Sequence, residues 1–256
     1  MRKLLFACDI DNTLVYSHRH PHEGWDCVEW LQGREQSYMS PETRQGLLRL
    51  SSRVTVVPVT SRTVGQYLRL KMPVPVGLAL TANGADLLAE GCPDGAWRVQ
   101  TDALIAPWRR ELQRCRALLE DTEGFLNVAV ADDAYLYAVC PDAPEAARRA
   151  EALESRTGLE VVASGRKLYL LPPPLNKGRA VRRLMQRMGY TALIAAGDSP
   201  MDLPMLREAD VAIVPQALRA LAPARARVCP EGWLFSDFVS ETVRELIGNP
   251  DRWRRI

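Results

Sequence analysis

Lysine is scarce in this chain of 256 residues, and several common sequence features are missing. Only four lysines occur, at Lys3, Lys71, Lys167 and Lys177, so arginine supplies most of the positive charge. The formal net charge is +2, a balance that gives no indication of a nucleic-acid partner. There is no short-period repeat and no low-complexity segment. An apolar content of 47% is sufficient for a packed interior.

Long hydrophobic runs and paired cysteines are also missing. No apolar run is long enough to span a membrane, and the first one, Leu4–Cys8, is too short for a signal peptide. The six cysteines are scattered without a Cys-x-x-Cys pair, which argues against a zinc site or a disulfide framework. Dispersed thiols fit a reducing compartment. We therefore expect a cytoplasmic protein without a membrane partner, and the sequence leaves its oligomeric state open.

Polar residues stand directly after three short apolar runs that are typical of buried strands. Residues 9–13 (Asp-Ile-Asp-Asn-Thr), 60–63 (Thr-Ser-Arg-Thr) and 197–202 (Gly-Asp-Ser-Pro-Met-Asp) occupy these positions. Carboxylates at the end of a buried strand are costly unless a cation neutralises them, and hard oxygen ligands suit Mg²⁺. Lys177 stands at the start of a predicted helix, where a cation opposes the helix dipole, so an anion is expected nearby.

The alternation of strands and helices is interrupted between residues 86 and 171. The predicted order there is β-β-α-β-β-α-β-β, which indicates an antiparallel sheet with helices on one face. Leu87–Ala89 and Trp97–Val99 are predicted to form its first hairpin. The sequence thus predicts a core domain made of residues 1–85 and 172–256, broken by Pro73–Pro75, and an inserted α+β domain of residues 86–171.

A long connector, residues 15–39, follows the first acidic motif and contains all three histidines, His18, His20 and His22. It allows three interpretations. The alternate histidines could bind a transition metal, or the segment could be a solvated loop whose Trp25 and Trp30 pack on the core. It could also be a flap that lines the entrance for a substrate, because long connectors beside a charged strand end are often functional.

Together these motifs resemble those of the haloacid dehalogenase superfamily of phosphohydrolases: residues 9–13, residues 60–62, Lys177 with Gly178, and residues 197–202. The insert resembles the cap of the branch that contains sucrose-phosphatase, mannosylglycerate-phosphatase and phosphomannomutase. The resemblance implies an α/β fold with a doubly wound, Rossmann-like parallel sheet. It also implies an enzyme, a Mg²⁺-dependent phosphatase that forms an aspartyl phosphate and acts on a small phosphorylated metabolite such as a sugar or polyol phosphate.

The resemblance also implies the roles of single residues. Asp9 is the expected nucleophile, and Asp11 is the expected general acid and then base. Thr60, Ser61 and Lys177 are expected to hold the phosphoryl oxygens. The resemblance places a Mg²⁺ site at Asp9, Asp198 and the backbone carbonyl of Asp11, with Asp202 as a further ligand or as a support for the ligands. Substrate contacts are predicted at four further positions, Arg62, Asn83, Arg166 and Lys167.

Departures from the family pattern occur at three positions. Asn12 stands where glycine is common, Ser61 stands where glycine often follows the threonine of the second motif, and Met201 replaces the asparagine that often precedes the last aspartate. The roles at positions 12 and 61 are largely backbone roles, so activity is expected to survive. Two other functions stay open: a phosphosugar mutase that uses the same aspartyl phosphate, and a non-catalytic binding or regulatory protein on the same fold. Retention of Asp9, Asp11, Lys177 and Asp198 argues against the second.

Overall fold

The computed structural model describes residues 3–74 and 76–249. Pro75, the last residue of the interruption predicted at Pro73–Pro75, lies outside the described residues. So do the outermost residues of the predicted core domain, 1–2 and 250–256. Across the described ranges, no helix combines the length and the hydrophobicity that crossing a bilayer requires.

The strands, in chain order, are β1 (Leu4–Cys8), β2 (Tyr16–Ser17), β3 (Asp26–Leu31), β4 (Arg34–Met39), β5 (Thr55–Pro58), β6 (Leu78–Thr81), β7 (Asp86–Ala89), β8 (Cys92–Pro93), β9 (Asn127–Ala131), β10 (Tyr135–Val139), β11 (Glu160–Ser164), β12 (Lys167–Leu171), β13 (Ala192–Ala196), β14 (Val211–Val214) and β15 (Arg227–Val228). The α-helices are α1 (Pro41–Ser51), α2 (Val64–Tyr67), α3 (Gly95–Ile105), α4 (Arg109–Glu120), α5 (Ala143–Glu154), α6 (Lys177–Met188), α7 (Leu203–Glu208) and α8 (Phe235–Gly248). Short 3₁₀ turns lie at Ala82–Gly84, Ala106–Trp108, Pro200–Asp202 and Gln216–Leu218.

A parallel sheet with the strand order β15-β14-β13-β1-β5 forms the centre of the molecule. Strand β1 runs parallel to β13 on one side and to β5 on the other. The chain first continues from β1 to β5 and returns later to β13, so the connections diverge between β1 and β13. In doubly wound sheets, ligands bind at the carboxyl ends of the strands beside such a divergence. The predicted fold class is confirmed.

Helices cover both faces of this sheet because successive side chains of a strand point to opposite faces. Phe6 and Cys8 of β1 belong to the hydrophobic cluster that includes α1 and α8. Leu5 and Ala7 belong to the opposite cluster, which includes α6 and α7. Both faces of the central strand are therefore buried, and its polar continuation, Asp9, emerges at the edge of a closed hydrophobic core.

The insert contains a second, antiparallel sheet with the strand order β11-β12-β10-β9. The strand pairs β9–β10 and β11–β12 are both antiparallel, as predicted. Helices α4 and α5 pack on one face of this sheet through a cluster that includes Cys115, Leu153 and Leu168. Tyr135 and Tyr169 belong to a separate cluster that joins the insert to the core. The inserted α+β unit is thus confirmed.

The predicted hairpin between Leu87–Ala89 and Trp97–Val99 is wrong. Strand β7 pairs with β6, and Trp97–Val99 lies within α3, which Asp94 caps by accepting a hydrogen bond from the Trp97 N–H. Trp97 has no exposed surface and belongs to the core cluster on the α6 side of the sheet. Alternating polarity over three residues resembles a strand, but the buried residues of α3 recur four apart, which is the helical period.

Residues 16–39 form an antiparallel sheet, β2-β4-β3, which we call the flap. The Lys71 N–H donates to the Val28 carbonyl (2.8 Å), which joins the flap to the segment after α2. Trp25 is half-buried, stacks on His20 and meets the buried Tyr16 edge-on, whereas Trp30 is 36% exposed with the Lys71 ammonium over its ring. The solvated-loop interpretation is therefore wrong in that the segment is a sheet, although Trp25 does reach a buried side chain.

Glycine at position 178 allows α6 to touch the chain that leads into α7. A Cβ on Gly178 would lie 2.3 Å from the Pro204 carbonyl oxygen, and backbone cannot move away as a flexible side chain can. We expect Gly178→Ala to lower the free energy of unfolding by about 2–3 kcal/mol in urea denaturation. Gly65→Ala is the matched control, since its Cβ would meet nothing within 4 Å. Equal stability of the two variants would contradict the close contact.

Candidate active site

The polar motifs meet at the carboxyl ends of β1, β5 and β13. Strands β1 and β13 are in register, and the Asp9 N–H donates to the Ala196 carbonyl at 2.9 Å. Asp9 and Asp198 therefore follow the carboxyl ends of two adjacent strands. Both line a cavity of about 280 Å³ whose wall also includes Ser61 and Lys177. We call it the acid cavity.

Lys177 is the cation at the base of the acid cavity. Its Nζ donates to Asp9 Oδ1 at 2.5 Å and to Asp202 Oδ1 at 2.6 Å, and the residue is only 2% exposed. Burial by itself would lower the pKa of Lys177, but the carboxylates of Asp202 and Asp9 raise it above its ordinary value. Lys177 is therefore charged, and the expectation of an anion beside it is confirmed.

Three carboxylates gather around this lysine. Asp9, Asp198 and Asp202 each offer an oxygen, and these oxygens lie within 4.8 Å of one another. Burial raises the pKa of Asp9 well above its ordinary value. Lys177 opposes this shift, whereas the charges of Asp202 and Asp198 increase it. Burial and the charge of Asp202 likewise raise the pKa of Asp198 to about 7.

The cluster therefore contains more negative charge than one lysine offsets, and its donors are hard oxygens. A divalent cation would supply the missing charge, and Mg²⁺ fits such a donor set. The part of the chain that the structure describes holds no other group of three or more His, Cys, Asp or Glu with this geometry, and the three histidines are not in it.

Asp202 has both carboxylate oxygens in use. Oδ2 accepts hydrogen bonds from the Asp198 N–H (3.1 Å) and from both the N–H and the hydroxyl of Ser199 (3.0 Å each). Oδ1 accepts from Lys177. This carboxylate fixes the loop that carries Asp198, so its contacts favour a supporting role over direct coordination. Thr13, to which the sequence gave no role, donates to Asp198 Oδ1 at 3.1 Å.

Asp11 lies apart from this cluster and is paired with Arg62. The guanidinium donates from Nε to Oδ2 (2.9 Å) and from Nη2 to Oδ1 (2.7 Å), a bidentate ion pair. Burial alone would raise the pKa of Asp11, but the hydrogen bonds and the charge of Arg62 lower it below its ordinary value. Asp11 is ionised near neutral pH in this arrangement, which is the form that accepts a proton.

A second cavity of about 220 Å³ continues from Asp11 toward the flap, and we call it the flap cavity. Its lining includes Glu29 from the flap, Arg62 and Arg69 from the core, and Tyr137 and Lys167 from the insert. The two cavities share four lining residues: Asp11, Ser61, Lys167 and Tyr169. Glu29 was not expected from the sequence, because an acid within a long connector is an ordinary surface feature.

The residues predicted to bind phosphate occupy different positions. Ser61 lines both cavities, and its carbonyl accepts a hydrogen bond from the Tyr135 hydroxyl at 2.6 Å. Thr60 is fully buried and lines neither cavity, and its Oγ1 accepts a hydrogen bond from the Arg62 N–H at 3.1 Å. Thr60 thus shapes the turn that presents Ser61 and Arg62.

Three of the four predicted substrate residues reach the cavities. Arg166 and Lys167 lie at the turn between β11 and β12 and line the acid cavity from above, and Arg62 lines the flap cavity. Asn83 is 1% exposed and lines neither cavity, and its amide has no hydrogen-bond partner among the described residues. The backbone N–H of Asn83 donates to the Thr60 carbonyl, so Asn83 lies behind the turn at Thr60.

Two of the three departures from the family pattern, Asn12 and Met201, have simple structural correlates. Asn12 has φ 56°, in the left-handed region that asparagine tolerates better than most residues after glycine. Its backbone can therefore take the conformation for which glycine is common. Met201 lines the acid cavity and packs against the cluster that joins insert and core.

A central parallel sheet with an inserted α+β unit is the haloacid dehalogenase-like fold, and solved structures share it. A sucrose-phosphatase from Synechocystis, crystallised with sucrose and phosphate, has a TM-score of 0.67 at 17% identity, covering 96% of this chain and 98% of its own. A trehalose-6-phosphate phosphatase related protein has a TM-score of 0.54 at 17% identity, covering 97% and 100%.

A haloacid dehalogenase-like hydrolase from B. subtilis is similar as well, with a TM-score of 0.59 at 16% identity, covering 94% of this chain and 99% of its own. No protein-family model matches the chain, and no curated protein matches it significantly in sequence. The likeness at these identities shows the fold.

Proposed function

We propose that the chain is a Mg²⁺-dependent phosphomonoester hydrolase that acts on a small phosphorylated metabolite, such as a sugar or polyol phosphate, through a phosphorylated Asp9. The observation that carries the proposal is the buried Lys177, bonded to Asp9 and Asp202, beside a cavity that opens past Asp11. Solved structures with this fold include a phosphatase with sucrose and phosphate bound, which supports a phosphorylated small molecule as substrate.

In the first step, a carboxylate oxygen of Asp9 attacks phosphorus, and the bond between phosphorus and the ester oxygen breaks. The departing alkoxide takes a proton from Asp11, which therefore has to carry a proton when the substrate is bound; the pair with Arg62, which favours the ionised form, must loosen at this point. Lys177 is bonded to Asp9 and offsets negative charge where a phosphate dianion approaches an anionic nucleophile. Asp11, which lines both cavities, lies between the nucleophile and the space available to the leaving group.

In the second step, water attacks phosphorus and the acyl phosphate bond breaks, which regenerates Asp9 and releases inorganic phosphate. Asp11 accepts the proton of the water. Pairing with Arg62 favours the ionised form of Asp11, so the arrangement is prepared for this step. Mg²⁺ held by Asp9 and Asp198, with Asp11 beside them and Asp202 supporting the loop, would supply positive charge at the phosphoryl oxygens.

The metal can be tested without activity. A cation that balances three buried acids binds the folded chain and not the unfolded chain, so Mg²⁺ should raise the melting temperature. Saturating MgCl₂ at about 100 times the dissociation constant should add about 2.7 kcal/mol of stability over EDTA. Asp198→Asn should abolish this difference, whereas Asp121→Asn, on an exposed helix end, should keep it. An equal melting temperature in Mg²⁺ and EDTA for wild type would refute the site.

We also propose that residues 86–171 act as a cap over the site, with the β7–α3 part fixed on the core. Two contacts support a cap position: the Tyr135 hydroxyl reaches the Ser61 carbonyl, and Asp132 Oδ2 accepts from the Val64 N–H at 2.7 Å. Trp97 Nε1 donates to the Gly84 carbonyl (3.0 Å), which anchors α3. Specificity would then come from the outer part of the cap, including Arg166 and Lys167.

The experiment that tests the function is a screen of phosphorylated metabolites for release of inorganic phosphate in Mg²⁺. A phosphatase releases one phosphate for each alcohol formed. A mutase would transfer the phosphoryl group to another hydroxyl of the sugar without release, and a binding protein would do neither. Absence of release from every phosphomonoester, including 4-nitrophenyl phosphate, would overturn the proposal.

A further inference from the structure

Glu29 is a buried carboxylate of the flap for which the mechanism above has no role. It is 3% exposed, and Oε2 lies 2.9 Å from Arg62 Nη1 and accepts a hydrogen bond from the Ser37 hydroxyl at 2.7 Å. Oε1 lies 3.3 Å from Arg69. A buried carboxylate is costly unless it is paired and hydrogen-bonded, and two guanidinium groups and a hydroxyl satisfy this one.

An irregularity in the flap turns Glu29 inward. The pairing of β3 with β4 shifts register on both sides of Glu29, so that Val28 and Glu29 are both buried although strand side chains normally alternate. A bulge of this kind re-aims a side chain and is frequent beside active sites. Glu29 also forms an isolated antiparallel bridge with Leu70, so its backbone is fixed to the segment after α2.

Glu29 and Asp11 share one guanidinium. Arg62 uses Nε and Nη2 for Asp11 and Nη1 for Glu29, and its side chain is only 12% exposed. A guanidinium is planar and rigid, so two carboxylates on different edges fix its plane and its position. The chain Glu29–Arg62–Asp11 thus connects the flap to the proposed acid and base without a water gap.

We propose that Glu29 is a positioning residue for Asp11: it fixes the guanidinium of Arg62, and Arg62 holds the Asp11 carboxyl group at the border of the two cavities. The inference rests on the proposed function, in which Asp11 exchanges a proton with the leaving group. Without Glu29, Nη1 of Arg62 loses its carboxylate, the guanidinium can turn, and Asp11 loses a fixed orientation. The flap therefore contributes to proton-transfer geometry as well as to the cavity wall.

The kinetic test uses Glu29→Gln with two substrates. An alkyl phosphate has a poor leaving group and needs the proton of Asp11, whereas 4-nitrophenyl phosphate has a good one. We expect kcat for the alkyl ester to fall by about tenfold to a hundredfold, the cost of a small misplacement of a reacting group. KM, and kcat for the nitrophenyl ester, should stay within about twofold.

Controls separate positioning from a merely structural role. Glu35→Gln, which changes the same residue type on the neighbouring flap strand, should behave like wild type. Glu29→Gln should add little to Arg62→Lys, because residues that act through one another are not additive. An equal loss of kcat for both esters, or full additivity of the two changes, would overturn the proposal.

A second measurement does not need activity. The Nε–H of Arg62 donates to Asp11, and Nη1 of the same guanidinium meets Glu29. This Nε–H should give a slowly exchanging proton resonance in ¹⁵N-labelled protein, identified by its loss in Arg62→Lys. Glu29→Gln should speed its exchange by at least about tenfold, and Glu35→Gln should leave it unchanged. An unchanged exchange rate in Glu29→Gln would overturn the positioning role. This result does not depend on activity, whereas a wild type that hydrolyses no phosphomonoester would refute the proposed function by itself.

Discussion

Asp9→Asn is expected to reduce turnover by at least about 10⁴-fold, since an amide cannot form the acyl phosphate and loss of a nucleophile has effects of this size. The fold should survive. Burial raises the pKa of Asp9, so the folded state disfavours its charge, and a neutral side chain of the same shape relieves that cost. Lys177 keeps its bond to Asp202 in the variant.

The measurement is steady-state phosphate release with a saturating substrate, together with a melting curve of each protein. Asp121→Asn is the matched control, because it makes the same chemical change at an exposed helix end. Turnover of Asp9→Asn within about tenfold of wild type would exclude Asp9 as the nucleophile. A loss of activity that accompanied unfolding would instead assign Asp9 a structural role.

Lys177→Met should have the second largest effect, and it acts on stability as well as activity. It leaves Asp9 and Asp202 buried without their cation, and removing one partner of a buried pair costs about 3–5 kcal/mol. Turnover should fall by at least about a thousandfold, because no side-chain cation then offsets the phosphate at the nucleophile. Lys71→Met is the control: Lys71 is exposed and its ammonium lies over the Trp30 ring, so this change should alter neither stability nor turnover.

The pH dependence of this stability has a definite sign. Asp202 and Asp9 raise the pKa of Lys177 in the folded state, so the stabilisation is fully present below the unfolded-state pKa of about 10.4. It is lost only as the pH rises through the higher folded value. The difference between wild type and Lys177→Met in urea denaturation with EDTA should therefore not decrease from pH 7 to about pH 9, because Lys177 stays charged while the raised pKa values of Asp9 and Asp198 let these acids lose protons in this range. No difference in stability at pH 7 would contradict the buried ion pairs.

The central strands and the acids behind them were predictable from the sequence because each signal is local. Leu4–Cys8 and Ala192–Ala196 are continuous apolar runs that end in charge, and the strands have these bounds. The signal for the start of α1 is equally local, because Ser40 is its N-cap and Pro41 is its first residue. Where one short segment contains both the hydrophobic run and the polar residues that end it, the strand can be predicted without knowledge of tertiary contacts.

The remaining features depend on distant partners. Glu29 and Arg62 are far apart in sequence, and the bulge that turns Glu29 inward is not visible in the composition of β3. The three residues Trp97–Val99 alternate in polarity, and only their packing on the core shows that Trp97 belongs to a buried helical face. Asn83, predicted to meet the substrate, has its position set by the backbone of Thr60. Sequence patterns report local preference, and these cases are decided by tertiary contacts.

The central claim is that a phosphoryl group passes through Asp9. The most direct test mixes enzyme, Mg²⁺ and 4-nitrophenyl phosphate, whose good leaving group does not need the proton of Asp11. The mixture is quenched in acid within the first turnover, and phosphorylated peptides are identified by mass spectrometry. We predict one phosphoryl group on the peptide that contains Asp9, absent in Asp9→Asn and accumulating in Asp11→Asn, whose second step lacks its base. Phosphate release without any phosphorylated peptide in wild type or Asp11→Asn, or a phosphoryl group on another residue, would contradict the account.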